Sequence, residues 1–143
     1  MFQALDISTS GLVAQRQRMT TVAENIANAQ TTRNDKGEVS PYQRRLIRFY
    51  EKKVNADGPS AGGTDNGGSA VGYTVETDTA AKPRTIYSPG HPDADADGYL
   101  QMPSVDLVNE FVNALEASRA YEANITALEM TKNLSRLSMR ILA

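Results

Sequence analysis

The chain contains no cysteine, which excludes disulfides, thiolate nucleophiles and zinc or iron–sulfur sites held by Cys. Its one histidine, His91, sits between Gly90 and Pro92, where neither a helix nor a strand would fix it as a general base. No second titratable group stands at a spacing that would activate it. Long apolar runs are missing as well. Asp6, Gln15, Arg16, Gln17 and Arg18 interrupt every candidate in residues 1–30, so a membrane span and the apolar core of a cleaved signal peptide are not expected. A chain of this kind working outside the cytoplasm needs another export route. Charge of one sign is also scarce: 15 Lys and Arg against 17 Asp and Glu give a net charge of -2. Nucleic-acid binding normally leaves a strongly basic footprint instead. No carboxylate pair or nucleophile constellation points to an enzyme, and no cofactor is implied.

Helix breakers are scarce at both ends. All six prolines, and every glycine except Gly11, fall between Gly37 and Pro103. The chain therefore divides into an N-terminal helical segment (1–36), a turn-rich β and loop region (37–103) and a C-terminal helical segment (104–143). Leu5, Leu12, Met19 and Ile26 recur every seven residues, with Val22, Ala23 and Ala29 broadening the stripe. This spacing predicts an amphipathic helix over about residues 5–30, weakened at Gly11 by roughly 1 kcal/mol relative to alanine. The Ser8-Thr9-Ser10 cluster offers a later N-cap.

The C-terminal segment has no Gly or Pro after Pro103, and Ser104 stands as a candidate N-cap ahead of Asp106. Its glutamates precede its lysine and arginines, as the helix macrodipole prefers. Leu107, Ala114, Tyr121, Leu128 and Leu142 form one heptad line, with Phe111, Ile125 and Met139 four residues on, which predicts one face apolar throughout. A second line, Met130, Leu134, Leu137 and Ile141, runs on a different side. Two helices alone cannot cover so many apolar faces, and uncovered apolar surface marks interaction sites. The alanines at 114, 117, 120, 123 and 127 permit close helix approach.

In the centre, 42–50, 71–77 and 84–87 have strand character and predict a small antiparallel sheet or hairpin. Residues 57–69 have the composition of a flexible loop. Gly62 and Gly67 stand at P-loop spacing, but Gly68 replaces the lysine that would reach the phosphates. Asp93, Asp95, Asp97 and Gly98 open like a calcium loop, yet Ser104 occupies the place of the bidentate glutamate. A solvated turn is the favoured reading, and no metal is expected. Arg44, Arg45, Arg48, Lys52 and Lys53, with Phe49 and Tyr50 interleaved, read as a solvated strand face or a surface for an acidic partner. The sequons at Asn124 and Asn133 fall inside the expected helix, where glycan acceptors are unusual.

The run from Ile7 to Met19, continued by Ala23-Glu24-Asn25-Ile26-Ala27-Asn28-Ala29, resembles the N-terminal signature of bacterial flagellar rod and hook axial proteins. Tyr87 to Tyr99, Met102 to Asp106 and Ala117 to Asn124 narrow the resemblance to the proximal-rod members. The residues that carry it are Ser10, Gly11, Asn25, Ala27, Asn28, Pro89, Gly90, Gly98, Tyr99, Pro103, Asp106, Arg119, Tyr121 and Asn124. Two positions depart from the family pattern, Ser104 for asparagine and Phe111 for methionine. Both substitutions keep the chemistry, a cap and a large apolar side chain respectively.

The fold expected is mainly α with a small β insertion: long N- and C-terminal helices packed as an antiparallel coiled-coil-like pair, with a short antiparallel hairpin or sheet and loops between them. The resemblance implies a structural subunit of the periplasmic rod of the basal body, exported through the flagellar type III apparatus without a cleaved signal. Its implied partners are other copies of itself, neighbouring proximal- and distal-rod subunits and a rod-base adaptor protein. The assembly interface is expected at Leu5, Leu12, Met19, Val22 and Ile26, and at Leu107, Phe111, Leu115, Tyr121, Ile125, Leu128, Met130, Leu134, Leu137, Met139, Ile141 and Leu142. Another rod or hook subunit, and a calcium-binding helical adaptor built on Asp93, Asp95 and Asp97, are the competing readings.

Overall fold

The computed structural model describes residues 2–53 and 69–142, with side chains over 5–53 and 69–140. Its elements are α1 (Phe2–Ala27), β1 (Arg45–Lys53), β2 (Ser69–Thr77), β3 (Arg84–Tyr87), β4 (Tyr99–Met102) and α2 (Leu107–Leu142). The glycine-rich stretch read as a loop lies outside the described residues except for Ser69, which opens β2.

α1 runs unbroken through Ser8-Thr9-Ser10, so the later start considered for it is not used. Thr9 Oγ1 donates to Leu5 O (2.8 Å) and Ser10 Oγ to Ile7 O (2.7 Å). Hydroxyls turned back onto the previous turn cannot cap the next one. The helix ends at Ala27, where Asn28 satisfies a terminal carbonyl: its Nδ2 donates to Glu24 O at 2.9 Å.

α2 starts at Leu107 rather than after Ser104, and its N-cap is Asp106. The Asp106 carboxylate accepts Val108 N at 3.0 Å and Asn109 N at 3.4 Å. Pro103 and Val105 are buried just ahead of it. The Asp106 charge also suits the positive helix end.

The β region forms two separate antiparallel hairpins. β1 pairs with β2 from Arg45↔Thr77 to Lys53↔Ser69, and β3 with β4 from Arg84↔Met102 to Tyr87↔Tyr99. β1 begins at Arg45 instead of Tyr42, because the chain before it is bonded to α1. Gly72 leaves room for the Tyr50 ring across the ladder, since a Cβ there would come within 2.6 Å of it. β4 was not anticipated. It follows Gly98, whose φ of +80° and packing against Tyr87 and Pro89 tolerate no side chain.

α1 and α2 lie antiparallel, with Gly11 opposite Asn124, Arg18 opposite Asn113 and Glu116, and Asn25 opposite Glu110. Along α2 the covered positions are Glu110, Ala117, Asn124, Thr131 and Ser138, seven residues apart, with Ala114, Tyr121, Leu128 and Ser135 beside them. On α1 they are Ala14, Thr21, Val22 and Asn25.

This corrects the expectation of a face apolar throughout. Leu5, Leu12, Met19 and Ile26 flank the α1 seam half-buried, while Leu107 and Phe111 are 40% and 60% exposed. Axes that approach closely have room only for small side chains on the contact line, so the large ones are displaced. The pairing places Phe2 level with residue 133. α2 therefore runs past it by about nine residues, or roughly 13 Å.

Ala117 is fully buried on this seam. Ala117→Leu is expected to destabilise the chain by about 1–3 kcal/mol through overpacking, whereas Leu115→Ala, at a position 55% exposed, should change stability by less than about 0.5 kcal/mol in either direction. Urea titration followed by circular dichroism checks both. Equal effects would contradict the assigned seam.

Candidate functional site

A polar junction joins both helices to the start of β1. Asn25, only 1% exposed, pairs through its amide with the backbone of Arg45. Its Nδ2 donates to Arg45 O and its Oδ1 accepts Arg45 N, both at 2.9 Å. Tyr42 Oη donates to the same Oδ1 at 3.0 Å. Glu110 enters from α2, also 1% exposed, and accepts Arg44 Nε at 2.6 Å and Asn25 Nδ2 at 3.4 Å. An unpaired buried carboxylate would be expensive; here a guanidinium and an amide share it. Burial pushes the Tyr42 hydroxyl above its ordinary pKa, with Arg45 opposing and Glu24 and Glu110 adding to the rise.

The basic group at the entry to β1 and along it is therefore divided by function. Arg44 turns inward to Glu110, Arg45 pairs with Glu24 at 2.8 Å, and Arg48 with Glu76 at 3.3 Å. Arg44 does not belong to a solvated face.

A second lock ties the loop after α1 to the β3–β4 turn. Asp93 has a side chain only 4% exposed; it accepts Thr32 Oγ1 at 2.7 Å and Arg33 Nε at 2.6 Å. The Arg33 hydrogen bond, then that from Thr32, holds the Asp93 carboxyl below the usual carboxylate range, against the effect of burial. Asp95 serves its own turn, accepting Asp97 N at 3.1 Å and Tyr99 N at 2.8 Å. The Asp93 and Asp95 carboxylates are thus engaged in different directions, and no group of three potential metal ligands converges among the described residues. His91 Nδ1 accepts Asp93 N at 3.1 Å, a turn-forming contact.

Ser10 docks the β1–β2 hairpin on α1 by accepting Val71 N at 3.0 Å. A groove of about 410 Å³ opens beside it, lined by Ile7, Phe49, Tyr50, Glu51, Ser69, Ala70 and Val71. A groove of about 320 Å³ with mixed lining flanks the junction between Arg18, Leu46, Phe49 and Asn113. In the first groove Ser69 Oγ donates to Glu51 Oε1 at 2.6 Å, across the β1–β2 ladder.

Among the family-motif residues, Asn25 and Gly11 lie on the helix seam with Asn124 and Tyr121, and Asn28 closes α1. Gly98, Pro89 and Tyr99 shape the hairpin turn, Gly90 lies within it, and Pro103 and Asp106 set the entry to α2. Ala27 and Arg119 are exposed.

Among the expected interface residues, Val22 is buried, while Tyr121, Ile125 and Leu128 are half-buried. Leu115, Met130, Leu134, Leu137 and Met139 are 55–64% exposed. Ile141 and Leu142 lie in α2, their side chains outside the described residues. Val108 at 71% and Val112 at 51% exposure join the open surface without having been anticipated. Their signal was present as the i, i+4 pair that Leu115 extends.

Large apolar side chains therefore face outward over most of α2, and no helix is long and apolar enough to cross a membrane among the described residues. Residues 5–33 match the family model described as flagella basal body rod protein, and residues 96–141 match flagellar basal body rod FlgEFG protein C-terminal. The chain is 36% identical to the flagellar basal-body rod protein FlgC of Bacillus subtilis, over 98% of this chain and 97% of that one. It is 39% identical to the Escherichia coli O6:H1 protein of the same name, over 94% and 92%. To that of Borreliella burgdorferi it is 36% identical, over 99% and 97%.

Two measurements probe the locks. Arg44→Met is expected to cost about 3–5 kcal/mol, because it strands the Glu110 charge, and adding Glu110→Leu should recover much of that loss in a double-mutant cycle. Asp93 stabilises the fold above its ordinary pKa of about 4. That contribution should vanish as pH falls through the depressed folded value. Protection factors at Tyr87–Leu100, taken relative to intrinsic exchange at each pH, should therefore hold down to about pH 4 and fall below it, whereas Asp93→Asn should show reduced protection already at neutral pH.

Proposed function

The chain belongs to the FlgC family of flagellar basal-body rod proteins, and from that premise we propose that it is a structural subunit of the basal-body rod with no catalytic role. It sits in the proximal part of a hollow axial structure in the periplasm. Delivery is through the flagellar type III export apparatus.

The observation that carries this reading is the outward-facing apolar surface of α2, where Val108, Phe111, Val112, Leu115, Met130, Leu134, Leu137 and Met139 are all more than half exposed. Surface of that extent is costly in water and marks contact with other proteins. Neighbours would be other copies, adjacent proximal- and distal-rod subunits and the rod-base adaptor. The work is mechanical. The buried junction keeps each helix pair rigid, and outward stripes on several sides spread torque over many contacts.

The interface proposed here comprises the outward residues together with the half-buried Leu5, Leu12, Met19, Ile26, Tyr121, Ile125 and Leu128. Ile125→Asp should abolish incorporation into basal bodies and leave cells non-motile. Isolated basal bodies probed by immunoblot, with a swarming assay alongside, check this, and normal motility with normal incorporation would contradict it.

A further inference from the structure

We propose that the outer edge of β1 at Ile47 and Phe49 is a strand-addition site, which takes an extended segment of a partner protein with apolar side chains at alternate positions.

Hydrogen bonds at three points fix which backbone groups of the β1–β2 hairpin face outward. In an antiparallel ladder a residue turns both its N–H and its C=O toward the partner strand or both away from it, in strict alternation. Arg45 gives both to the Asn25 amide, and Val71, which lies opposite Glu51, gives its N–H to Ser10 Oγ. Arg44 O accepts Asp78 N, one step before the ladder, and so points inward. All three agree: even-numbered residues of β1 bond to β2, and odd-numbered ones face away. Ile47 and Phe49 therefore present their N–H and C=O groups outward. Among the described residues no hydrogen bond from another element reaches them.

The Asn25 amide shows what fits this edge. Its donor and acceptor, on one planar group, engage Arg45 as a peptide unit of a third strand would. The row of outward groups continues to Ile47 and Phe49, but α1 does not follow it: toward the far end of the hairpin the helix is bonded to β2 instead, through Val71. A groove of about 320 Å³ is left beside the edge, between Leu46, Ile47 and Phe49 on one side and Arg18, Val22 and Asn113 on the other. The register of β1 runs from Arg45 to Lys53 without a bulge or a proline, two of the devices that commonly guard an exposed edge. Charged Lys52 and Lys53 limit the open stretch at its far end.

Backbone groups spaced for a ladder select an extended chain over a helix. Side chains add the rest of the specification. Ile47 and Phe49 share their face with Val71, Tyr73 and Val75, and Phe49 is 40% exposed, so a strand added here lays every second side chain beside an apolar row.

The full chain tests this directly. Without a partner, the Ile47 and Phe49 amides should exchange with solvent rapidly while those of Arg48 and Tyr50 are protected; the reverse order would overturn the assignment of the edge. The probe is a capped seven-residue peptide of alternating valine and threonine. Its addition should shift the Ile47 and Phe49 amide resonances saturably and slow their exchange by about tenfold, as one net hydrogen bond would. N-methylating only its valines or only its threonines should abolish binding in one case and spare it in the other, because a strand turns alternate N–H groups to its neighbour. Phe49→Pro removes an N–H that the β1–β2 ladder does not use; it should keep its circular dichroism and bind the peptide more weakly. Equal binding of both N-methylated peptides, equal loss of both, undiminished binding by a folded Phe49→Pro chain, or no saturable shift up to millimolar peptide would each overturn the proposal.

Discussion

The rest of the molecule follows from how closely α1 and α2 approach. Gly11 meets the Asn124 side chain, and Ala14, Thr21 and Ala117 occupy the contact line, so the axes come together where a leucine would hold them apart. Such a seam has little apolar surface to bury. Its specificity comes from polar pairs, and its large apolar side chains are displaced to the flanks and the outer face. One constraint thus produces a defined helix pair and an unsatisfied exterior.

Polar contacts set the register that packing leaves loose. Small side chains slide past one another at little cost, but the Asn25 amide, bonded to both backbone groups of Arg45, admits one position only. Glu110 and Arg44 extend the same junction into α2. Removing either partner leaves a buried group unmatched, which costs more than the bond contributes net. Ser10 and Asp93 repeat the device at smaller scale, pinning one hairpin each to the helical frame.

Much of this was legible in the residues and some was not. The breaker-poor ends gave both helices, and the strands near Arg45, Val71 and Arg84 were visible as β-branched and aromatic runs. The seam was partly legible: Ala114, Tyr121 and Leu128 of the leading heptad line lie beside it, but apolar periodicity could not single out the small and polar residues on the contact line, and Leu107 and Phe111, placed on the same face and at the assembly interface, stand exposed. Arg44 read as a solvated cation because nothing local reveals that Glu110, far along the chain, awaits it. β4 is only Tyr99–Met102, too short for its alternation to speak without β3 beside it. Asn25 stood out only through resemblance, Gly11 only as a weak point of its helix and Gly98 only as part of a calcium-like loop, and the structure supplies their physical reasons.

A helix pair dressed outward in apolar side chains has a meaning only in company. Electron cryo-microscopy of isolated basal bodies, with this chain placed in density, tests that directly. The account predicts that Val108, Phe111, Val112 and Leu115 on one flank of α2, and Met130, Leu134 and Leu137 on the other, are buried against neighbouring subunits. Density in which those side chains face solvent, with the subunit contacts made by the hairpins alone, would contradict it.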